Sequence, residues 1–147
     1  MWSENVGGVA MNIYYKIKNA IFYNVDCLRA RWQRFLRGYS YGDIWDMDYW
    51  FIRTTKPMLI HLRDKGISVP NDLYQEGAEN ERETWEAILT EMIECLDLMD
   101  EDSARKHLGI EDNDYTYKSH VRTGDLMNEK KDRFFELFCK YFYNLWD

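Results

Sequence analysis

Apolar side chains recur at every third or fourth position along most of this 147-residue chain. The clearest segment runs from Asn80 to about Met99, where Asn80 is a typical N-cap residue and Glu83 completes a capping box. In a helix this spacing places the apolar side chains on one face. That face consists of Trp85, Ile88, Leu89, Met92, Ile93, Leu96 and Met99. Only 2 Pro and 8 Gly interrupt the chain, so the sequence predicts an all-α fold.

The two ends of the periodic region show the same pattern. A helix from Asn12 to about Arg37 is predicted to stop at Gly38, because glycine is common just after a helix. Its apolar stripe consists of Ile13, Ile17, Ile21, Val25, Leu28, Trp32 and Phe35. The chain closes with a predicted helix over residues 125–146, whose apolar face is unusually aromatic.

The middle of the first half predicts two shorter helices. Ser40 and Asp43 have the spacing of an acidic capping box, so a helix is expected to begin there. Pro57 lacks an N–H group and disfavours a helical residue before it, which predicts a kink or break at residues 54–55. The next helix would then carry Pro57 in its first turn and end at Gly66.

The domain organisation follows from these four or five amphipathic helices, which are expected to form a compact bundle or an orthogonal array. Residues 1–11 show little periodicity and are predicted to be a flexible N-terminal extension. Residues 12–147 are expected to form a single helical domain around one core, with a polar excursion at about 100–124.

The cellular setting is indicated by the cysteines. Cys27, Cys95 and Cys139 are odd in number, widely spaced and outside any Cys-x-x-Cys pair, which is typical of a reducing compartment. No apolar run approaches the roughly 18 residues of a membrane span, and the first residues lack the layout of a signal peptide. We expect a cytoplasmic protein with no membrane partner.

Motifs of catalysis and cofactor binding are missing from the sequence. It contains no Gly-x-Gly-x-x-Gly fingerprint, no phosphate-binding loop and no Gly-x-Ser-x-Gly elbow. Residues 112–123 begin like a calcium-binding loop, but Tyr117 replaces its glycine and Thr123 replaces its bidentate glutamate. We therefore expect no enzyme, no metal site and no cofactor.

A cluster of arginines and tyrosines is the strongest candidate for a ligand site. No acidic residue occurs between positions 27 and 42, and guanidinium groups bind phosphates while tyrosine rings stack on bases. The candidate ligand-binding residues are Arg29, Arg31, Arg34, Arg37, Tyr39 and Tyr41. An anionic small molecule such as a nucleotide would suit this composition. The solvated end of a helix would have the same composition without binding a ligand.

An acidic segment offers a second candidate surface. Residues 76–102 contain eleven acids and only one base, Arg82, so this segment would suit a basic host protein or would simply be a solvated face. The candidate partner-binding residues are Glu79, Glu83, Glu86 and Glu94. The net charge of −7 argues against duplex-DNA coating. The aromatic face of the final helix, where it is exposed, is a possible homo-oligomer interface.

The segment 38–49 has the pattern Gly-Tyr-Ser-x-x-Asp-x-Trp-x-x-Asp-Tyr, which resembles a family of small uncharacterised proteins of tailed bacteriophages. The resemblance continues through residues 57–59 and 85–93. It ends in Leu-Phe-x-Lys-Tyr-Phe-x-Asn-Leu-Trp-Asp at 137–147, and covers about two-thirds of the chain. This family has no assigned activity, so the resemblance implies a viral origin and expression in a bacterial host, but no catalytic residues.

These observations favour a phage accessory protein that works by binding, without catalysis, in the cytoplasm of the bacterial host. Host takeover or counter-defence by sequestration of a nucleotide-type immune signal is the leading hypothesis. The alternatives are an acidic interaction module that inhibits a basic host protein, and a structural homo-oligomer.

Overall fold

The computed structural model describes Lys16, Lys18 and residues 24–75 and 80–146, and all regular structure in this part of the chain is helical. The first helices are α1 over residues 24–37, α2 over Tyr41–Trp45, α3 over Met47–Lys65 and α4 over Asn71–Gln75. They are followed by α5 over Glu81–Leu98, α6 over Glu101–His107, α7 over Tyr117–Tyr141 and a 3₁₀ turn over Phe142–Asn144. The all-α prediction is confirmed for these residues. The count of seven α-helices exceeds the predicted four or five, partly because α2 and α4 are short pieces of 5 residues.

The chain divides into two compact units, Met1–Met47 and Asp48–Asp147. The described part of the first unit contains α1 and α2, and the second unit contains α4 to α7 and nearly all of α3. The predicted flexible extension at residues 1–11 lies outside the described residues. A single domain over residues 12–147 stays a prediction.

The core of the second unit is built around α5. Its predicted apolar face is buried, with Trp85, Leu89, Met92 and Leu96 almost completely inaccessible to solvent. These side chains pack with residues from three other helices, which are Leu59, Leu62, Leu73, Phe134, Leu137 and Tyr141. Burial of each large apolar side chain contributes roughly 1.5–3 kcal/mol, so α5 is the main source of stability in this unit. The prediction of an N-cap at Asn80 is also confirmed, since its side chain accepts a hydrogen bond from the Glu83 N–H at 3.2 Å.

Helix α3 continues through Pro57. Of the predicted kink or break at residues 54–55, the break is therefore wrong, and the kink stays a prediction. Proline costs a helix about 3 kcal/mol, but Leu59 and Leu62 lie in the following turns and are buried in the core. Their burial offsets that cost only if the helix stays continuous. The chain instead leaves the helical conformation at Asp46, which has φ −121° and ψ 59° and separates α2 from α3. The predicted helix end at Gly66 is confirmed, because α3 ends one residue before it.

The polar segment 100–124 contains all of α6 and the first two turns of α7. Helix α7 begins at Tyr117 instead of the predicted position 125, because the Thr116 hydroxyl caps it by accepting the Ser119 N–H at 3.3 Å. Inside the helix, Thr123 Oγ1 donates to the Ser119 carbonyl at 2.8 Å. Polar side chains that find partners on their own helix can be buried without a penalty, so the polarity of this segment did not signal its helical structure.

Candidate ligand-binding surface

A tight turn joins α1 to α2 in the first unit. Gly38 has φ +80°, a left-handed conformation that other residues adopt only with strain. Its N–H donates to the Arg34 carbonyl at 2.8 Å, which closes the last turn of α1. The predicted helix stop at Gly38 is therefore confirmed, and the turn brings residues 39–43 back along the side of α1.

Arg34 and Asp43 hold this turn in place. Arg34 Nε and Nη2 donate to the two carboxylate oxygens of Asp43 at 2.9 and 2.6 Å. The N–H and hydroxyl of Ser40 also donate to Asp43 Oδ2, at 2.7 and 2.9 Å, and the predicted capping box is present. The Arg34 guanidinium, and to a lesser extent these bonds from Ser40, hold the pKa of Asp43 well below its usual range. Arg34 thus has a structural partner, and its bidentate fork is already occupied.

Tyr41 lies beside a second face of α1. The buried Gln33 accepts the Tyr41 N–H on its Oε1 at 3.0 Å, which fixes the position of the tyrosine backbone. Arg29, Gln33 and Arg37 are spaced four residues apart and therefore share this face. The Arg37 guanidinium carbon is 5.2 Å from the centroid of the Tyr41 ring. A hydrogen bond from Arg37 and, more weakly, the charge of Arg29 lower the pKa of the Tyr41 phenol.

The six candidate residues therefore separate into four sets. Arg29, Arg37 and Tyr41 come together, and they are named the Tyr41 cluster below. The exposed Tyr39 is close enough to Arg37 to contribute to raising the pKa of that guanidinium. Arg34 is engaged by Asp43, and Arg31 is about 200° around the helix from both Arg29 and Gln33, on the far side of α1.

The apolar stripe of α1 was missed as a functional feature, because amphipathic helices normally bury such a stripe. Ile13, Ile17 and Ile21 lie outside the described residues. The other four members, Val25, Leu28, Trp32 and Phe35, have exposed fractions between 54% and 79%. The periodicity identified these side chains, but only the structure shows that they face solvent.

The acidic surface of α5 is partly neutralised by neighbouring cations. Glu86 pairs with Arg82 at 2.5 Å, Glu91 with Arg133 at 2.6 Å, and Asp97 with Lys56. Of the candidate partner-binding residues, Glu79 lies outside the described residues. Glu83 and Glu94 are exposed, and within the described residues neither has an ion-pair partner.

Arg105 is a buried cation that the sequence analysis did not single out. Its Nη2 donates to the carbonyls of Glu111 and Asp114 at 2.8 and 2.9 Å, and its guanidinium lies 5.6 Å from the centroid of the Tyr115 ring. These contacts hold the loop between α6 and α7. They lie beside an acidic depression of about 840 Å³.

An apolar groove of about 830 Å³ lies between α3 and the end of α7. Pro57, Met58 and Leu62 line one side, and Phe138 and Trp146 line the other. Part of the aromatic end of the chain is therefore exposed, and the homo-oligomer interface stays a prediction.

The described residues contain neither a metal-binding group of side chains nor a membrane-spanning helix. No group of three or more His, Cys, Asp or Glu side chains in 24–75 and 80–146 is placed to bind a metal ion. Likewise, no helix in that part of the chain combines the length and the apolar character that crossing a bilayer requires.

Comparisons with protein-family models, with curated proteins and with solved structures found no match to this chain. The resemblance to bacteriophage proteins stays a prediction.

Proposed function

We propose that this protein acts by binding, without catalysis, and that the Tyr41 cluster binds an anionic ligand of the nucleotide class. The observation that carries the proposal is the tyrosine ring beside Arg37 on a helix face that also presents Arg29. In a bacteriophage such binding would serve host takeover or counter-defence in the host cytoplasm, by sequestering a nucleotide signal.

The chemistry of the cluster suits the two parts of a nucleotide. Guanidinium groups donate paired hydrogen bonds to phosphate oxygens, and Arg29 has no ion-pair partner within the described residues. The exposed rings of Tyr39 and Tyr41 offer faces for a base, and stacking of one base on an aromatic ring contributes about 1–3 kcal/mol. The Arg34–Asp43 pair holds the turn that presents both rings.

The test is isothermal titration calorimetry with mononucleotides, dinucleotides and cyclic dinucleotides. Arg29→Glu/Arg37→Glu should abolish binding, because it reverses both charges beside Tyr41. Arg31→Glu is the matched control, since it reverses an exposed arginine on the far side of the same helix and should retain most of the affinity. Equal losses in the two variants, or no binding by the unmodified protein, would contradict the site.

The acidic surface of α5 supports a second candidate function, the binding of a basic host protein. Glu83 and Glu94 are eleven residues apart, which is close to three helical turns, so they lie on the same face. A host protein bound there should be released at about 0.5 M salt, where the Debye length is only ~4 Å. The host protein should also fail to bind the double variant Glu83→Lys/Glu94→Lys. A complex that resists both changes would exclude this surface.

A further inference from the structure

The exposed stripe of α1 has the spacing of a helix that docks against another protein. Val25, Leu28, Trp32 and Phe35 are separated by three, four and three residues, so they occupy an arc of about 80° on the helix. The rings of Trp32 and Phe35 are stacked, with centroids 5.8 Å apart and an interplanar angle of 29°. This stacked pair of exposed aromatic rings provides the kind of anchor that dominates binding at protein interfaces.

Among the described residues of the first unit, the internal contacts leave this stripe open. Gln33 and Arg34 hold the turn at residues 40–43, and both lie on the side of α1 away from the stripe. The helix therefore uses its polar face for internal contacts and presents its apolar face to solvent, the reverse of the usual arrangement. Contiguous exposed apolar side chains of this kind mark interaction sites in monomeric proteins.

Positive charge on both borders of the stripe identifies the kind of partner. Arg29 borders it on one side and Arg31 on the other, each about 40° from the nearest stripe residue. Within the described residues neither arginine has an ion-pair partner, and no acidic residue lies on these borders. A second copy of α1 would place cations opposite cations, which is unfavourable. The complementary surface is an apolar groove with an acidic rim.

We infer that α1 docks through this stripe into an apolar groove with an acidic rim on another protein. Val25, Leu28, Trp32 and Phe35 fill the groove, and Arg29 and Arg31 pair with acidic residues on its two sides. This inference shares Arg29 with the Tyr41 cluster, but none of the four stripe residues belongs to that cluster. Variants of the stripe therefore test it separately from nucleotide binding.

The probe is the isolated C-terminal lobe of calmodulin, labelled with a fluorophore. With Ca²⁺ this lobe opens a methionine-rich groove with an acidic surround that accepts varied basic amphipathic helices, and it closes when Ca²⁺ is removed. The full-length protein should bind the lobe with Ca²⁺ and release it on chelation. Trp32→Glu should weaken binding by about tenfold or more, because it places a charge in the apolar contact.

Trp45→Glu is the matched control, since Trp45 is 90% exposed on α2 and lies outside the stripe. It should bind the lobe like the unmodified protein, and circular dichroism should show both variants with unchanged helix content. Equal effects of the two substitutions, or failure of the unmodified protein to bind the open lobe, would overturn the inference. So would self-association that Trp32→Glu abolishes, or binding of the stripe to phosphatidylglycerol vesicles in place of the lobe.

Discussion

Among single residues, Asp43 makes the contacts that hold the connection between α1 and α2. Its carboxylate accepts hydrogen bonds from the side chain of Arg34 and from both the N–H and the hydroxyl of Ser40. Asp43→Asn keeps the shape of the side chain but removes its negative charge. This substitution should destabilise the turn by about 0.5–2 kcal/mol, the range measured for lost helix caps.

Amide hydrogen exchange measures this loss directly, because the Ser40 N–H is bound to Asp43 Oδ2 at 2.7 Å. Exchange at Ser40 should accelerate in Asp43→Asn. Asp46→Asn, which changes an exposed carboxylate three residues further on, should leave it unchanged. Slow exchange at Ser40 in both variants would show that the carboxylate does not hold the turn.

The sequence identified the residues of this region better than it identified their roles. The cap formed by Ser40 and Asp43 was predictable because its residues are three positions apart. The pairing of Arg34 with Asp43 was not, because it requires the chain to reverse at Gly38 by an angle that spacing does not specify. That one pairing gives a predicted ligand residue a structural partner.

At the level of whole elements, α3 shows how packing overrides a local preference. Pro57 removes one N–H from the helix ladder, and this rule alone predicted a kink or a break. The contribution of Leu59 and Leu62 to the core appears only when their tertiary neighbours are known. No comparable signal marks Asp46, where the chain does leave the helix.

Pro57→Ala should therefore stabilise the second unit. Alanine restores the missing N–H and removes the ring, which is worth about 3 kcal/mol in a helix interior. The greater freedom of alanine in the unfolded chain offsets about 0.4–1 kcal/mol of this gain. We expect a net increase of about 2 kcal/mol in the free energy of unfolding, measured by urea denaturation.

The control for this prediction is Met58→Ala, which changes the next residue, also exposed, without altering the backbone donors. It should shift the free energy of unfolding by less than about 0.5 kcal/mol, as is usual for surface substitutions. If Pro57→Ala instead lowers the free energy of unfolding, then Pro57 stabilises α3 and the prediction is contradicted.

For the molecule as a whole, acidic side chains with cationic or hydrogen-bonding partners should dominate the response of stability to pH. The pKa values of Asp43, Asp64, Glu91 and Asp114 all lie below their ordinary values. For the first three the main cause is a hydrogen bond from an arginine, and for Asp114 it is the Thr116 N–H. The pairing of Glu91 with Arg133 was not predictable from the sequence, because the two residues are separated by 42 positions.

A depressed pKa in the folded state means that the unfolded chain binds more protons at acidic pH. The stabilisation from these pairs is therefore complete above the unfolded pKa values of about 4 and is lost as the pH falls through the lower folded values. The urea midpoint should stay nearly constant from pH 7 to about 5.5 and then decrease steadily towards pH 3. Glu91→Gln should flatten this decrease, because the amide cannot titrate, while Glu83→Gln should leave it unchanged because Glu83 has no ion-pair partner within the described residues. A midpoint that is independent of pH between 5 and 3 would show that these ion pairs and hydrogen bonds contribute nothing to the stability of the protein.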